Sequence, residues 1–213
     1  MSLLQEEFFQ DMASLLSRVE HRLFADYHRD ISLSSQKSAY LEEYGISARQ
    51  FNAIRINLEG KIKSCLVLQD SYLEDLSLKI NQRKKEIKKL EGLKNKSEKK
   101  LVALYHKKES LVRLTKKYER LKEDKKNKKV RLCFGSKKLF RKQFDLKKNN
   151  YQSHEEWLSD WQKSRANQFY LIGSKDENRG NQSCITTINA DDTMNFKMRV
   201  PKALENKYGP YVT

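Results

Sequence analysis

Two short stretches carry the residue types that hold phosphate. Gly135-Ser136-Lys137 and Gly173-Ser174-Lys175 each follow a short run read as a strand, "VRLCF" and "QFYLI". A glycine lets backbone N–H groups approach an anion closely, a serine adds a hydroxyl donor, and a lysine adds a compact charge. One such turn is ordinary at a strand end; two in one small sheet point to contact with a phosphate backbone. Lys138, Arg141 and Lys142 extend the first turn into a cationic patch beside Phe140 and Phe144, two aromatics expected to anchor the loop in the core rather than stack on bases. Arg131, before the first turn, and Asn181 and Gln182, after the second, complete the candidate nucleic-acid-binding set.

Signals for catalysis are much weaker. His21, His28, His106 and His154 are scattered without metal-ligand spacing. The chain has no nucleophile elbow, phosphate-binding P-loop or glycine-rich dinucleotide fingerprint. Asp191 and Asp192 are adjacent, so on a strand they face opposite sides, and a polar hairpin tip explains them better than a metal site. No catalytic residue, metal or cofactor is assigned.

The charge agrees with a polyanionic partner. The 213 residues carry a formal net charge of +16, which favours nucleic acid through counterion release, with acidic proteins and anionic membranes as the other classes such a charge allows. Cys65, Cys133 and Cys184 are odd in number and far apart, which fits a reducing, cytoplasmic compartment rather than a disulfide framework. The opening "MSLLQEEFFQ" has no basic start and no unbroken apolar stretch, so no signal peptide is expected. No segment approaches the roughly 20 apolar residues that span a bilayer.

The elements that must position these residues fall into two halves. Leu4, Phe8, Met12, Leu15, Val19, Leu23 and Tyr27 recur at helical spacing. A short helix over "QKSAYLEEY" stops at Gly45, and Ser47 with Gln50 has the spacing of a capping box that restarts the helix. Gly60 lies inside that helix and predicts a close packing contact. From Leu73 the pattern turns heptad-like through Leu76, Ile80, Ile87 and Leu90, breaks at Gly92, and resumes from Leu101. An antiparallel helical hairpin over about 66–127 buries one stripe against the other. Its lysines, Lys84, Lys85, Lys88, Lys89, Lys116 and Lys117 among them, form either a solvated outer face or a surface that tracks a nucleic-acid backbone.

After "KEDKKNKK" the runs "VRLCF", "QFYLIG", "SCITTIN" and "MNFKMRV" read as strands, with a helix over about 153–166 inserted and capped by Ser153 and Glu156. Trp157 and Trp161 are expected to pack against the sheet. The fold class is therefore α+β: a helical lobe over 1–129 and a β-rich domain over 130–213, with a domain boundary at Val130.

Several ordered blocks resemble one family. "SAYLEEYGISARQFNAIRINLEGKI", "KVRLCFGSKKLFRKQF", "SHEEWLSDWQKSRANQFYLIGSKDENRGNQ" and "MNFKMRVPKALENKYGPYV" are similar to transposon-encoded OrfB/TnpB proteins, the transposase-associated RNA-guided nucleases related to type V CRISPR effectors. The resemblance implies a helical recognition lobe followed by a wedge-type, barrel-like domain that grips guide RNA and target duplex, with both Gly-Ser-Lys loops facing nucleic-acid backbone. In such proteins a RuvC-like domain with separated carboxylates does the cleavage, and this chain stops about where that domain would begin. The opening barrel strand also has no counterpart ahead of the first helix, which leaves an unpaired sheet edge and predicts instability or dependence on a partner. The expectation is an RNA- or DNA-binding N-terminal portion that does not cleave by itself. A separate chain carrying the RuvC-like part is one expected partner. The rival reading is a coiled-coil interaction protein whose charge is incidental.

Overall fold

The computed structural model describes residues 3–94, 97–173, 181 and 183–213. Seven α-helices and three short strands follow one another in those residues. They are α1 (Leu3–Tyr27), α2 (Lys37–Tyr44), α3 (Ala48–Glu91), α4 (Glu98–Lys126), α5 (Lys137–Arg141), α6 (His154–Arg165), β1 (Cys184–Ile188), β2 (Met194–Arg199), α7 (Glu205–Tyr208) and β3 (Tyr211–Val212). Two compact units result, one formed by Met1–Gly60 with Cys133–Thr213 and one by Lys61–Leu132. The sequence reading put a single break near Val130; by contacts the chain separates after Gly60 and again after Leu132.

In the first unit α1 buries the middle of the stripe expected of it, while Leu4 at one end is exposed and Tyr27 at the other is half-buried. Phe8, Met12, Leu15, Val19 and Leu23 are all buried, with Phe51, Ile54 and Leu58 of α3 and Met198 and Val200 at the end of β2. Burying such side chains supplies the main driving force for the unit. Local signals set the helix ends. Gly45 adopts φ +57, and a Cβ there would sit 2.9 Å from Ala203 N and 3.0 Å from Ala203 Cβ, so both conformation and space demand glycine. The capping box that follows forms in both directions: Gln50 N donates to Ser47 Oγ at 3.2 Å and Ser47 N donates to Gln50 Oε1 at 2.8 Å. The C-terminal segment is tied to α1, where Lys207 Nζ reaches Glu7 and Asp11 at 2.8 Å each and Tyr208 Oη donates to Asp11 at 2.7 Å. Those bonds hold the Asp11 carboxyl below its ordinary value.

The sheet is small. β1, β2 and β3 form an antiparallel meander in the order β1-β2-β3, with Cys184 opposite Met198, Ile188 opposite Met194 and Arg199 opposite Tyr211. It does not close into a barrel, contrary to expectation. Closure takes more strands with a consistent stagger than this region supplies. The strands expected at 130–134 and 168–173 do not form: these residues belong to no ladder and to no helix. At the end of the first of them the Phe134 ring lies 4.2 Å from the His21 ring and 5.5 Å from Phe24, so this side chain meets α1 instead of a second sheet layer. The β1–β2 hairpin appears as expected, with Asp191 and Asp192 at its tip.

In the second unit the helical part of α3 beyond Gly60 and α4 pack as the two arms of a hairpin. Leu76, Ile80 and Ile87 are buried on the first arm, while Leu104, Leu111, Leu114 and Leu121 are half-buried on the second. Ion pairs across the arms fix the antiparallel register: Asp70 with Lys125, Glu86 with Lys107 at 2.5 Å, and Glu91 with Lys108 at 2.6 Å. The expected close contact at Gly60 is absent, since a Cβ there would meet nothing within 4 Å.

Candidate nucleic-acid interface

The first Gly-Ser-Lys stretch is a helix start, not a strand-end loop. Gly135 has φ +82, and a Cβ would fall 3.1 Å from Arg165 Cα, so the chain turns tightly beneath the end of α6. Ser136 is the N-cap of α5, and its hydroxyl accepts a hydrogen bond from Leu139 N at 3.2 Å. Its oxygen therefore serves the fold. Lys137, Lys138 and Arg141 are exposed on α5, and the chain continues through 3-10 turns at Lys142–Phe144 and Lys147–Asn149, adding exposed Lys147 and Lys148. Among the described residues no carboxylate pairs with any of these cations. Lys142 is half-buried, with its Nζ 5.6 Å from the centre of the Tyr151 ring.

What holds this segment is a tryptophan pair. Trp157 and Trp161 stack at 6.2 Å with an angle of 9°, and with Tyr151 they form a small core that Leu139, Leu146 and Leu158 complete. Trp157 Nε1 donates to Leu139 O at 2.9 Å, fixing α5 directly onto α6. The pair thus packs against the cationic segment, where the sequence reading placed it against the sheet. Ser153 Oγ caps α6 by accepting from Glu156 N at 3.2 Å, and the Glu156 carboxylate reaches back to Gln152 N at 2.8 Å. Tyr151 Oη donates to Asp160 at 3.0 Å; burial first, then that bond, pushes the Tyr151 hydroxyl above its ordinary value.

The two phenylalanines divide. Phe140 leans on the Trp161 ring at 5.2 Å, but it is itself 39% exposed and lies on the tryptophan pair rather than in the core. Phe144 does not anchor the segment: the side chain is 76% exposed, edge-on to Phe140 at 6.3 Å. Because Phe140 already occupies the tryptophan face, Phe144 is left in solvent among the lysines.

The other sequence candidates sit elsewhere. Arg131 lies at the base of the hairpin, where its Nε and Nη2 reach the two oxygens of Asp124 at 2.6 and 2.9 Å. Asn181 is half-buried, and its Oδ1 accepts from Ser183 N at 2.9 Å. Ser174, Lys175 and Gln182 lie outside the described residues. The hairpin lysines Lys84, Lys85, Lys88, Lys89, Lys116 and Lys117 are all exposed. At the β1–β2 tip, Asp191 Oδ1 accepts from Thr193 Oγ1 at 2.6 Å and from Thr193 N at 3.1 Å, while Asp192 turns the chain at φ +61. The Thr193 bonds hold the Asp191 carboxyl below its ordinary value.

Sequence reasoning passed over Lys147 and Lys148, which continue the cationic run past Asp145 and were legible as part of it. Among the described residues, no three His, Cys, Asp or Glu side chains come together as a metal-binding group, and no helix is long and apolar enough to cross a membrane. No protein-family model, no curated protein and no solved structure matches the chain.

Proposed function

We propose that the protein binds nucleic acid by its phosphate backbone, through the segment from Lys137 to Lys148. One observation carries the reading: six cations in twelve residues surround an exposed Phe144, and a buried tryptophan pair holds the whole segment in place. Lysines and arginines supply sequence-independent attraction, and an exposed aromatic gives an unpaired base a face to stack on. Single-stranded or structured RNA offers such bases more readily than a continuous duplex. The sequence blocks similar to OrfB/TnpB proteins favour guide-type RNA as the ligand, with DNA backbone as a further contact and a separate RuvC-like chain as a partner. Binding, rather than cleavage, is the activity proposed for this chain.

The test is purification without nuclease treatment, followed by sequencing of RNA that survives a wash at about 0.5 M salt, where nonspecific phosphate contacts are heavily weakened. A discrete RNA supports the reading; protein free of nucleic acid before the wash sinks it. A second reading rests on the hairpin, where Val67, Leu78, Tyr105 and Val112 are exposed apolar side chains suited to a protein partner. A salt-insensitive oligomer without RNA would put that reading first.

A further inference from the structure

The second arm of the hairpin carries two stripes. Leu104, Leu111, Leu114, Tyr118 and Leu121 of α4 are half-buried, in line with Lys107, which pairs with Glu86 of α3 at 2.5 Å. On the opposite side of α4 Val102, Tyr105 and Val112 are 50%, 61% and 53% exposed. With Glu109 they repeat the three-and-four spacing of a coiled-coil seam. We infer that this outer face of α4 docks an acidic amphipathic helix of a partner protein, which completes a three-helix bundle with the hairpin. The inference rests on the second reading above, a protein partner for the hairpin, and names that partner's chemistry.

The charges beside the stripe select the occupant. In the heptad register with Val102 and Glu109 at a, and Tyr105 and Val112 at d, the e positions are Lys99, His106, Arg113 and Arg120. The g positions are Leu101, Lys108, Thr115 and Lys122. No carboxylate stands in either row, and residues at e and g choose a partner by their charge. Lys99, Arg113 and Lys122 are exposed, and among the described residues no carboxylate pairs with them. Lys108 already holds Glu91 at 2.6 Å. Asn95 and Lys96, outside the described residues just ahead of α4, carry no carboxylate. Leu101 is exposed and widens the apolar stripe. Glu109 interrupts it, accepting a hydrogen bond from the Tyr105 hydroxyl at 3.3 Å; a polar residue at a fixes register at a cost in affinity.

Two other occupants fit less well. A second copy of α4 would set cation against cation along both rows, which opposes docking. A phosphate backbone would use the cations and leave the apolar stripe in water. An acidic helix uses both, its apolar face on the stripe and its carboxylates on the flanking rows. Most of the net charge of +16 lies between Lys61 and Leu132, so the same unit also draws an acidic partner toward itself.

The probe is a fluorescein-labelled helical peptide of about four heptads, with leucine at a and d and glutamate at e and g. Its binding to the full chain is followed by anisotropy, beside a twin peptide with lysine at e and g and a labelled single-stranded RNA. The glutamate peptide is expected to bind at least about tenfold more tightly than the lysine twin. Tyr105→Ser with Val112→Ser changes exposed side chains and leaves the melting temperature nearly unaltered. It weakens the glutamate peptide by about tenfold, through lost apolar contact, and leaves RNA affinity as it was. Lys99→Glu with Arg113→Glu reverses the preference between the two peptides, which a merely structural role of these side chains would not do. Absence of glutamate-peptide binding overturns the inference, as does binding that the serine variant retains. A dimer abolished by the serine variant would assign the face to a second copy, and RNA affinity that falls with that variant would assign it to bases; either result overturns the inference. Glutamate-peptide binding by a protein that binds no RNA keeps the inference and removes the nucleic-acid reading.

Discussion

Arg131 closes a fork on Asp124, Nε to one carboxylate oxygen at 2.6 Å and Nη2 to the other at 2.9 Å. The carboxylate is buried although the guanidinium is half-exposed. Around the same point Lys129 N donates to Asp124 O at 2.7 Å, and Gln69 Nε2 donates to Lys129 O at 2.9 Å. The pair therefore ties the chain leaving α4 back to the hairpin base.

Asp124→Asn is expected to cost about 1–2 kcal/mol, a buried charge-assisted bond discounted for the exposed partner. Arg131 foremost, against the opposing effect of burial, holds the Asp124 carboxyl below its ordinary value of 3.8. A folded-state pKa below the unfolded one stabilises above about pH 4 and loses that contribution as pH falls further. Thermal melting of both proteins from neutral pH to acid should show their difference shrinking below about pH 4. A constant difference would place the effect outside this carboxylate.

Asp26 and Tyr40 form a second buried pair, the hydroxyl donating to Oδ2 at 2.6 Å. Burial, then the bond to Asp26, pushes the Tyr40 hydroxyl well above its ordinary value of 10. Tyr40→Phe is expected to destabilise by about 1–3 kcal/mol, because a buried carboxylate loses a donor. The folded-state value is raised, so this stabilisation is complete below about pH 10 and fades as pH rises past the unfolded-state value. Stability measured from pH 8 to 11 should fall more steeply for wild type than for the variant.

Two glycines predict opposite outcomes. Gly45→Ala places a Cβ against Ala203 at a residue with φ +57, and a loss of about 1–3 kcal/mol is expected. Gly60→Ala adds a methyl to a helix with open space around it, and a gain of about 0.5–1 kcal/mol is expected. Denaturant midpoints of the two variants on opposite sides of wild type would verify both; a destabilised Gly60→Ala would reveal a packing role that this geometry lacks.

Phe144→Ala is expected to leave the melting temperature within about 1 °C of wild type, since surface changes are nearly neutral. Affinity for single-stranded RNA should drop by about 1–3 kcal/mol, the range of one base stacked on an aromatic. Unchanged RNA affinity would remove Phe144 from the interface.

What the sequence disclosed was mostly local. The α1 stripe, the Ser47–Gln50 box, the stop at Gly45, the fold-back near Gly92 and the β1–β2 hairpin all depend on residues a few positions apart. The failures share a cause as well. Alternation at Val130, Leu132 and Phe134 has the same period whether the buried phase meets a sheet or a helix, and Phe134 meets α1. β3 is two residues long, too short to leave a pattern. Gly60 signalled a contact by analogy with other helical glycines, but spacing says nothing about what lies opposite. The Asp26–Tyr40 bond and the tryptophan platform under α5 unite residues 14 and 18 positions apart, which no short window registers.

The most direct measurement is the salt dependence of RNA binding by wild type and by the Lys137→Gln, Lys138→Gln, Arg141→Gln variant, followed by anisotropy of a labelled structured RNA. If these side chains contact phosphates, log affinity falls linearly with log salt, and the variant lowers the slope by about 2 to 3. Equal slopes and equal affinities in the two proteins would contradict the assignment of this segment as the nucleic-acid interface.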